Sequence, residues 1–267
     1  MPKIFAVSDI HGFYDELREA LDNAGFDHEN EEHFLVVCGD TTDRGPQPSE
    51  VISYLSKLMR DNKCVVVKGN HESLMLECLN RGYPGSHDYS NGTFDTICDL
   101  GNAKGGCTFD ECCLIVEGRF KAFVNKMVDY FETEKYIFVH GWIPVKVKDG
   151  LPMHYRRNRK FEFDQDWRYA HASAWEEARW LNGIDMAQDG FIEPNKTIVC
   201  GHWHCSYGHH LKSIKTGKII SEFKDDACFD PFYDNGIIAI DACTAHTNKV
   251  NVLVLEDNFL DEKETEQ

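Results

Sequence analysis

Apolar residues in this chain fall into short runs separated by longer amphipathic stretches. β-rich runs occupy residues 3–8, 33–38, 64–68, 135–140 and 197–201. Between the first three lie two helical patterns. Residues 14–24 carry Leu17, Ala20, Leu21 and Ala24 at helical spacing and stop at Gly25. Residues 49–60 carry Val51, Ile52, Leu55, Leu58 and Met59. Strand, helix, strand, helix, strand predicts right-handed βαβ units and a parallel sheet. Runs at 218–222, 236–241 and 249–255 follow without helical spacing between them. They predict a second, more antiparallel sheet.

The pattern weakens between residues 78 and 130, which are polar and rich in Gly and Cys until a helical stretch at 119–131. This segment reads as an insertion or cap over the sheet ends. A further helix is expected over 164–181, stopping at Gly183. No interdomain linker is evident, so residues 1–258 are expected to form one domain. Residues 259–267 are expected to form an acidic, frayed tail.

Five of the apolar runs end in a tight polar turn. These turns are Ser8-Asp9-Ile10-His11-Gly12, Gly39-Asp40-Thr41-Thr42-Asp43-Arg44-Gly45, Gly69-Asn70-His71-Glu72, His140-Gly141-Trp142 and Gly201-His202-Trp203-His204. Open α/β sheets bind ligands beyond the carboxyl ends of their strands, so all five turns should meet at one edge. Together they offer carboxylates (Asp9, Asp40), an amide oxygen (Asn70) and imidazoles (His11, His140, His202 and, left open, His204). Nitrogen and oxygen donors without thiolate suit manganese, iron or zinc better than calcium or copper(I). Seven ligands exceed what one ion needs if substrate is to reach it. They suit two ions about 3.5–4 Å apart, with one carboxylate between them. Asp40 is the expected bridge, because its motif lies between the others in the chain. Taken singly, Asp-x-His or Gly-Asn-His is more often a turn or helix cap. Five such segments, each directly after an apolar run, outweigh that reading.

Composition narrows the function further. The chain has 267 residues, 42% apolar and 27% charged, which is ordinary for a globular protein. No apolar run approaches the roughly 18 residues that suggest a membrane span, and no export signal is visible. A cytoplasmic location is expected. The eleven cysteines read as reduced thiols, and Cys107, Cys112 and Cys113 lack the paired spacing of a zinc knuckle. The net charge of −17 argues against nucleic-acid or anionic-membrane partners. It would also repel phosphate unless the site is locally positive. Two divalent ions against two carboxylates leave such a surplus, and Arg44 adds a planar fork suited to phosphate oxygens.

The order Asp-x-His, Gly-Asp-x-x-Asp-Arg-Gly, Gly-Asn-His-Glu, Val-His-Gly, Gly-His resembles the calcineurin-like metallophosphoesterases. Asp43-Arg44-Gly45 narrows the likeness to the phosphoprotein phosphatase branch. That branch includes prokaryotic Ser/Thr protein phosphatases and symmetrical diadenosine tetraphosphatases. Residues 130–141 and 236–243 are also similar to its prokaryotic members. The likeness spans residues 4 to about 255 and is weakest at 78–125 and 144–195. It implies an α/β sandwich of two mixed β-sheets flanked by helices, with a cap-like insertion.

The resemblance also implies roles. Asp9, His11 and Asp40 would hold one metal ion; Asp40, Asn70, His140 and His202 would hold the other, with manganese the first choice. His71 would protonate the leaving oxygen, with Asp43 orienting it, and Arg44 would bind phosphate. Arg179 is the candidate for a second phosphate arginine; the plainer reading pairs it with Glu176 on a helix surface. Two departures stand out. His204 takes a position where this branch mostly has a non-ligand, though wider relatives ligate the first metal there. Trp142 replaces small residues, with a narrowed pocket as the expected result.

The implied activity is hydrolysis of phosphate monoesters by metal-activated hydroxide. The main reading is a Ser/Thr or dual-specificity protein phosphatase acting on a phosphorylated protein or a small phosphoester. The rival enzyme hydrolyses dinucleoside polyphosphates, with Tyr83, Tyr89, Trp167, Tyr169, Trp175 or Trp180 stacking on a base or simply packing the cap. A rival of another class is a metal-binding scaffold without catalysis, which would have no need of Asp43, Arg44 and His71 together.

Overall fold

The computed structural model describes residues 1–147 and 161–260. The chain runs β1 (Lys3–Val7), α1 (Tyr14–Ala24), β2 (His33–Cys38), α2 (Pro48–Arg60), β3 (Cys64–Val67) and α3 (Asn70–Arg81). The helices α4 (Ser86–Asn91), α5 (Thr93–Leu100) and α6 (Phe109–Val124) follow. Then come β4 (Phe131–Glu132), β5 (Tyr136–Phe138), the β6 (Val145–Val147)–β7 (Phe161–Phe163) pair, α7 (Ala172–Ala178), α8 (Gly183–Gln188) and β8 (Thr197–Cys200). The last elements are α9 (Cys205–Thr216), β9 (Phe232–Asp234), β10 (Ile237–Ala239), α10 (Thr244–Thr247) and β11 (Leu253–Glu256).

Two mixed sheets face each other. The first has the order β11-β1-β2-β3, with β1, β2 and β3 parallel and β11 antiparallel on the edge. The second has the order β4-β5-β8-β10-β9, parallel through β5, β8 and β10 with antiparallel edges. Strand alternation explains the layering. Ile4 and Ala6 of β1 turn inward to meet Phe138, Val199 and Ile238 of the opposite sheet. Phe5 and Val7 turn outward and pack with Leu17 and Leu21 of α1 and Leu55 of α2. Both faces of the central strands are therefore buried, which is why these strands read as continuous apolar runs. Each fully buried aliphatic side chain contributes about 1.5–3 kcal/mol.

Several sequence expectations need correction. The second sheet has a parallel centre, and its edges alone are antiparallel. Residues 218–222 form no strand, and the last strand begins at Leu253 and joins the first sheet. The helix expected at 119–131 starts ten residues earlier, because Thr108 and Glu111 form a capping box ahead of Phe109. The helix expected over 164–181 is a 3-10 turn followed by α7, and Gly183 opens α8 instead of ending a helix, with Asn182 capping it. Gly25 does terminate α1, with φ +80°. Within residues 78–130, Val116, Phe120 and Phe123 of α6 and Ile97 of α5 join the apolar cluster that covers the first sheet. All eleven cysteines are free thiols. The acidic tail from residue 261 onward lies outside the described residues.

Candidate metal centre

Strand register brings the polar turns together. Val7 pairs with Val37, and Cys38 with Val67, so β1, β2 and β3 end at one edge. Phe138 pairs with Val199, and Ala239 with Cys200, so β5, β8 and β10 end beside them. The turns are then stitched to one another. Asp9 N–H donates to the Gly39 carbonyl (3.2 Å), His11 N–H to that of Asp40 (2.9 Å) and Gly201 N–H to that of His140 (2.9 Å). Contacts across the two sheets complete the cluster: His140 Nδ1 lies 2.8 Å from the Cys38 carbonyl, and His202 N–H donates to Asp9 Oδ2 at 2.9 Å. Asp9, His11, Asp40, Asn70, His71 and His140 are all buried, while Arg44 is exposed at the mouth.

Two groups of potential ligands share Asp40. In one, ligand atoms of His11, Asp40 and His71 lie within 4.8 Å of one another; in the other, those of Asp40, His140 and His202 do. Asp9 Oδ1 is 3.9 Å from His11 Nε2, and Asn70 Oδ1 is 2.8 Å from His140 Nε2. Tautomers follow from the outer contacts. His11 Nδ1 faces the Thr42 carbonyl at 3.1 Å and His140 Nδ1 faces that of Cys38, so both rings turn an Nε2 lone pair into the cluster. At His140 that lone pair meets the Asn70 amide oxygen at 2.8 Å and Asp40 Oδ2 at 3.4 Å. Acceptors aimed at each other at this range repel unless a cation lies among them.

Protonation tendencies differ from group to group within this donor set. Burial, reinforced by Asp241 and Asp40, holds the Asp9 carboxyl well above its usual range. Burial also pushes His11 well below its usual value, with Arg44 adding to the effect, so its ring is neutral and able to ligate. Burial would raise Asp40, but the facing imidazoles of His140, His71, His11 and His202 outweigh it and hold Asp40 ionised. His71 is raised: burial opposes its charge, but the Asp40 carboxylate and the hydrogen bond to Asp43 overcome that. Its Nδ1 lies 2.8 Å from Asp43 Oδ2, which leaves Nε2 facing the cluster, 3.1 Å from Arg44 Nη2. Arg44 Nη1 is 2.9 Å from His11 Nε2. These buried carboxylates and imidazoles fit divalent transition metals.

Three expected residues sit apart from this cluster. His204 Nε2 is 2.7 Å from Glu222 Oε1, and the ring packs on Phe223. Arg179 is bonded to Asp129 Oδ1 (2.6 Å), to Glu176 and to Ser73 Oγ (3.3 Å). Trp142 does not narrow a pocket: it is buried in the second sheet's outer core and donates Nε1–H to the Phe191 carbonyl. Of the aromatics proposed for base stacking, Trp167 and Trp175 pack against Tyr130 in that same core, whereas Trp180 meets the His202 ring edge-on at 6.0 Å.

Sequence reasoning passed over Glu72. Its carboxylate accepts Gly69 N–H (2.7 Å), Asp40 N–H (3.2 Å), and both Thr41 N–H and Thr41 Oγ–H (2.8 Å each). A Cβ on Gly69 would lie 2.1 Å from Asp40 Oδ1, so only glycine allows this approach. The Gly-Asn-His-Glu motif contained the signal: a glutamate three residues past a glycine cap fits a capping box. Asp241 was also missed. It is buried, accepts Cys243 N–H at 2.6 Å and adds negative charge near Asp9.

Comparison with known proteins places the chain among relatives of the same fold. The chain is similar to an asymmetrical bis(5'-nucleosyl)-tetraphosphatase from Halalkalibacterium halodurans, 37% identical over 71 residues, or 24% of this chain and 29% of that protein. It is also similar to a symmetrical bis(5'-nucleosyl)-tetraphosphatase from Aeromonas hydrophila, 41% identical over 70 residues, or 26% of this chain and 24% of that protein. These matches span less than a third of each relative's length. The crystal structure of a cold-active protein-tyrosine phosphatase from a psychrophilic Shewanella species shares the fold, with 17% identity and a TM-score of 0.51 over 97% of this chain and 76% of that one. The sequence profile described as calcineurin-like phosphoesterase matches residues 2–206. With most of its length matched, the chain belongs to the calcineurin-like phosphoesterase family.

Proposed function

We propose that this protein is a phosphoesterase that uses two divalent metal ions to hydrolyse phosphate monoesters, as protein phosphatases do. The observation that carries the reading is the shared Asp40, which stands between two ligand groups beside the Asp43–His71 pair and Arg44. In this reading Asp9, His11 and Asp40 hold one ion, and Asp40, Asn70, His140 and His202 hold the other. When bound, the ions supply Lewis acidity that polarises the phosphate and acidifies an attacking water.

The chain's own groups do the rest. Arg44, exposed at the mouth, orients the phosphate and offsets charge building on its equatorial oxygens. His71 is near enough to the first ligand group to ligate, but its pairing with Asp43 favours the imidazolium, and a cation favours a neutral ring. His71 is therefore the general acid, delivering the Nε2 proton to the leaving oxygen. Arg179 would need to leave Asp129 and Glu176 before it could reach phosphate, so Arg44 is the principal anion holder.

A second reading, hydrolysis of dinucleoside polyphosphates, draws support from the relatives' names. A row of rings beside the site also favours it: Trp180, His202, Trp203 and His204 lie in successive contact at 5.9–6.1 Å. A substrate panel separates the readings. Manganese-loaded protein is expected to turn over p-nitrophenyl phosphate and phosphopeptides at least 100-fold faster than diadenosine tetraphosphate. The reverse preference would favour the second reading, and no turnover of any of them by metal-loaded protein would favour a scaffold.

A further inference from the structure

Asp43 is fully buried, and its Oδ2 accepts two hydrogen bonds. One comes from His71 Nδ1 at 2.8 Å, and the other from Thr93 Oγ1 at 2.7 Å. Thr93 belongs to the helical segment between β3 and β4, fifty residues from Asp43 along the chain, and is itself fully buried. Its hydroxyl is not spent on capping, although it is the first residue of α5. The backbone enforces this approach. Gly92 has φ +82°, and a Cβ there would lie 2.5 Å from the Arg44 amide nitrogen. The helical segment therefore clamps the Asp43–Arg44 turn, whose residues both sit in left-handed backbone at φ 70° and 67°.

We propose that Thr93 is a positioning residue for proton delivery: by donating to Asp43 Oδ2 it fixes that oxygen toward His71 and so aims His71 Nε2 at the leaving oxygen. This rests on the assignment of His71 as general acid. The other Asp43 oxygen is buried and has no hydrogen-bond partner among the described residues. Without the Thr93 hydroxyl, His71 would be the carboxylate's one side-chain partner among the described residues, and the carboxylate could turn either oxygen to it. An intact Thr93 removes that freedom.

The test compares leaving groups on the manganese-loaded full chain. p-Nitrophenolate departs with little help from a proton, whereas phenolate needs more. Thr93→Val keeps the side chain's shape and removes the hydroxyl. It is expected to lower kcat on phenyl phosphate by about tenfold or more, to lower kcat on p-nitrophenyl phosphate by less than about threefold, and to leave KM nearly unchanged. Thr93→Ser should restore the wild-type ratio between the two esters. That ratio does not depend on the fraction of protein folded, so it remains readable if Thr93→Val is less stable. His71→Asn serves as the reference and should show the same selectivity at about 10²–10⁴-fold loss on phenyl phosphate. If His71→Asn is selective while Thr93→Val is not, Thr93 has only a structural role and the inference falls alone. If His71→Asn slows both esters equally, the general-acid assignment falls, and the inference with it.

Discussion

At Asp9, His11, Asp40, Asp43, Arg44 and His202 the backbone φ lies between +50° and +70°. Left-handed backbone at a non-glycine residue costs of order 1–3 kcal/mol and persists only where surrounding contacts over-determine it. Backbone bonds hold Asp9 and His11, the Asp9 carboxylate holds His202 N–H, and Glu72 fixes the turn around Asp40. Glu72 satisfies the amides of Gly69, Asp40 and Thr41. Glu72→Ala would strand three buried N–H groups, each costing about 1–3 kcal/mol. Urea unfolding should show a loss of at least about 3 kcal/mol, with weaker manganese uptake by the folded fraction. A loss below about 1 kcal/mol would mean that the turns hold their shape without it.

Between elements, the two sheets are tied at their edges by Asp257, just past β11. It accepts Thr133 Oγ–H at 2.7 Å and Lys135 N–H at 2.8 Å from the β4–β5 connection. Burial would raise this carboxyl, but those hydrogen bonds, Thr133 first, hold it below its usual value. The sign follows from linkage: a depressed folded pKa gives stability that is present above the unfolded value, about 3.9, and is lost as pH falls through the folded one. Asp257→Asn should therefore destabilise the protein at pH 7, and the gap from wild type should narrow below about pH 4. Melting curves across that range check this; a gap that does not vary with pH would contradict it.

Element-level features differed in how far they could be read from the chain. The five metal-type turns were legible because each couples an apolar run to a short polar motif, and parallel register does the gathering. The 218–222 run was misread because alternation over five residues cannot show whether a partner edge is available. The break near 170–183 was missed because Asn182 is a strong helix cap hidden in a pattern that still looked periodic. Trp142 was misjudged because spacing does not tell which way a turn residue points. Thr93 carries no metal-ligand chemistry, and its tie to Asp43 appears only once the chain is folded.

For the molecule as a whole, a net charge of −17 surrounds a cluster that gathers several buried carboxylates, with the Arg44 guanidinium beside His11 and His71. Binding two divalent ions should relieve that repulsion and stabilise the fold. A ligand held at 100 times its Kd adds about 2.7 kcal/mol to stability. Stripping metal with a chelator should lower the melting temperature by several degrees, and manganese should restore it. A melting temperature indifferent to metal would count against a centre built into the fold.

The claim on which the rest depends is that Asp40 is shared by two ions. Elemental analysis of folded, manganese-loaded protein tests it most directly. Wild type should hold about two ions per chain and Asp40→Ala fewer than about one. A folded wild-type chain with one ion or none, or an Asp40→Ala chain that keeps both, would contradict it.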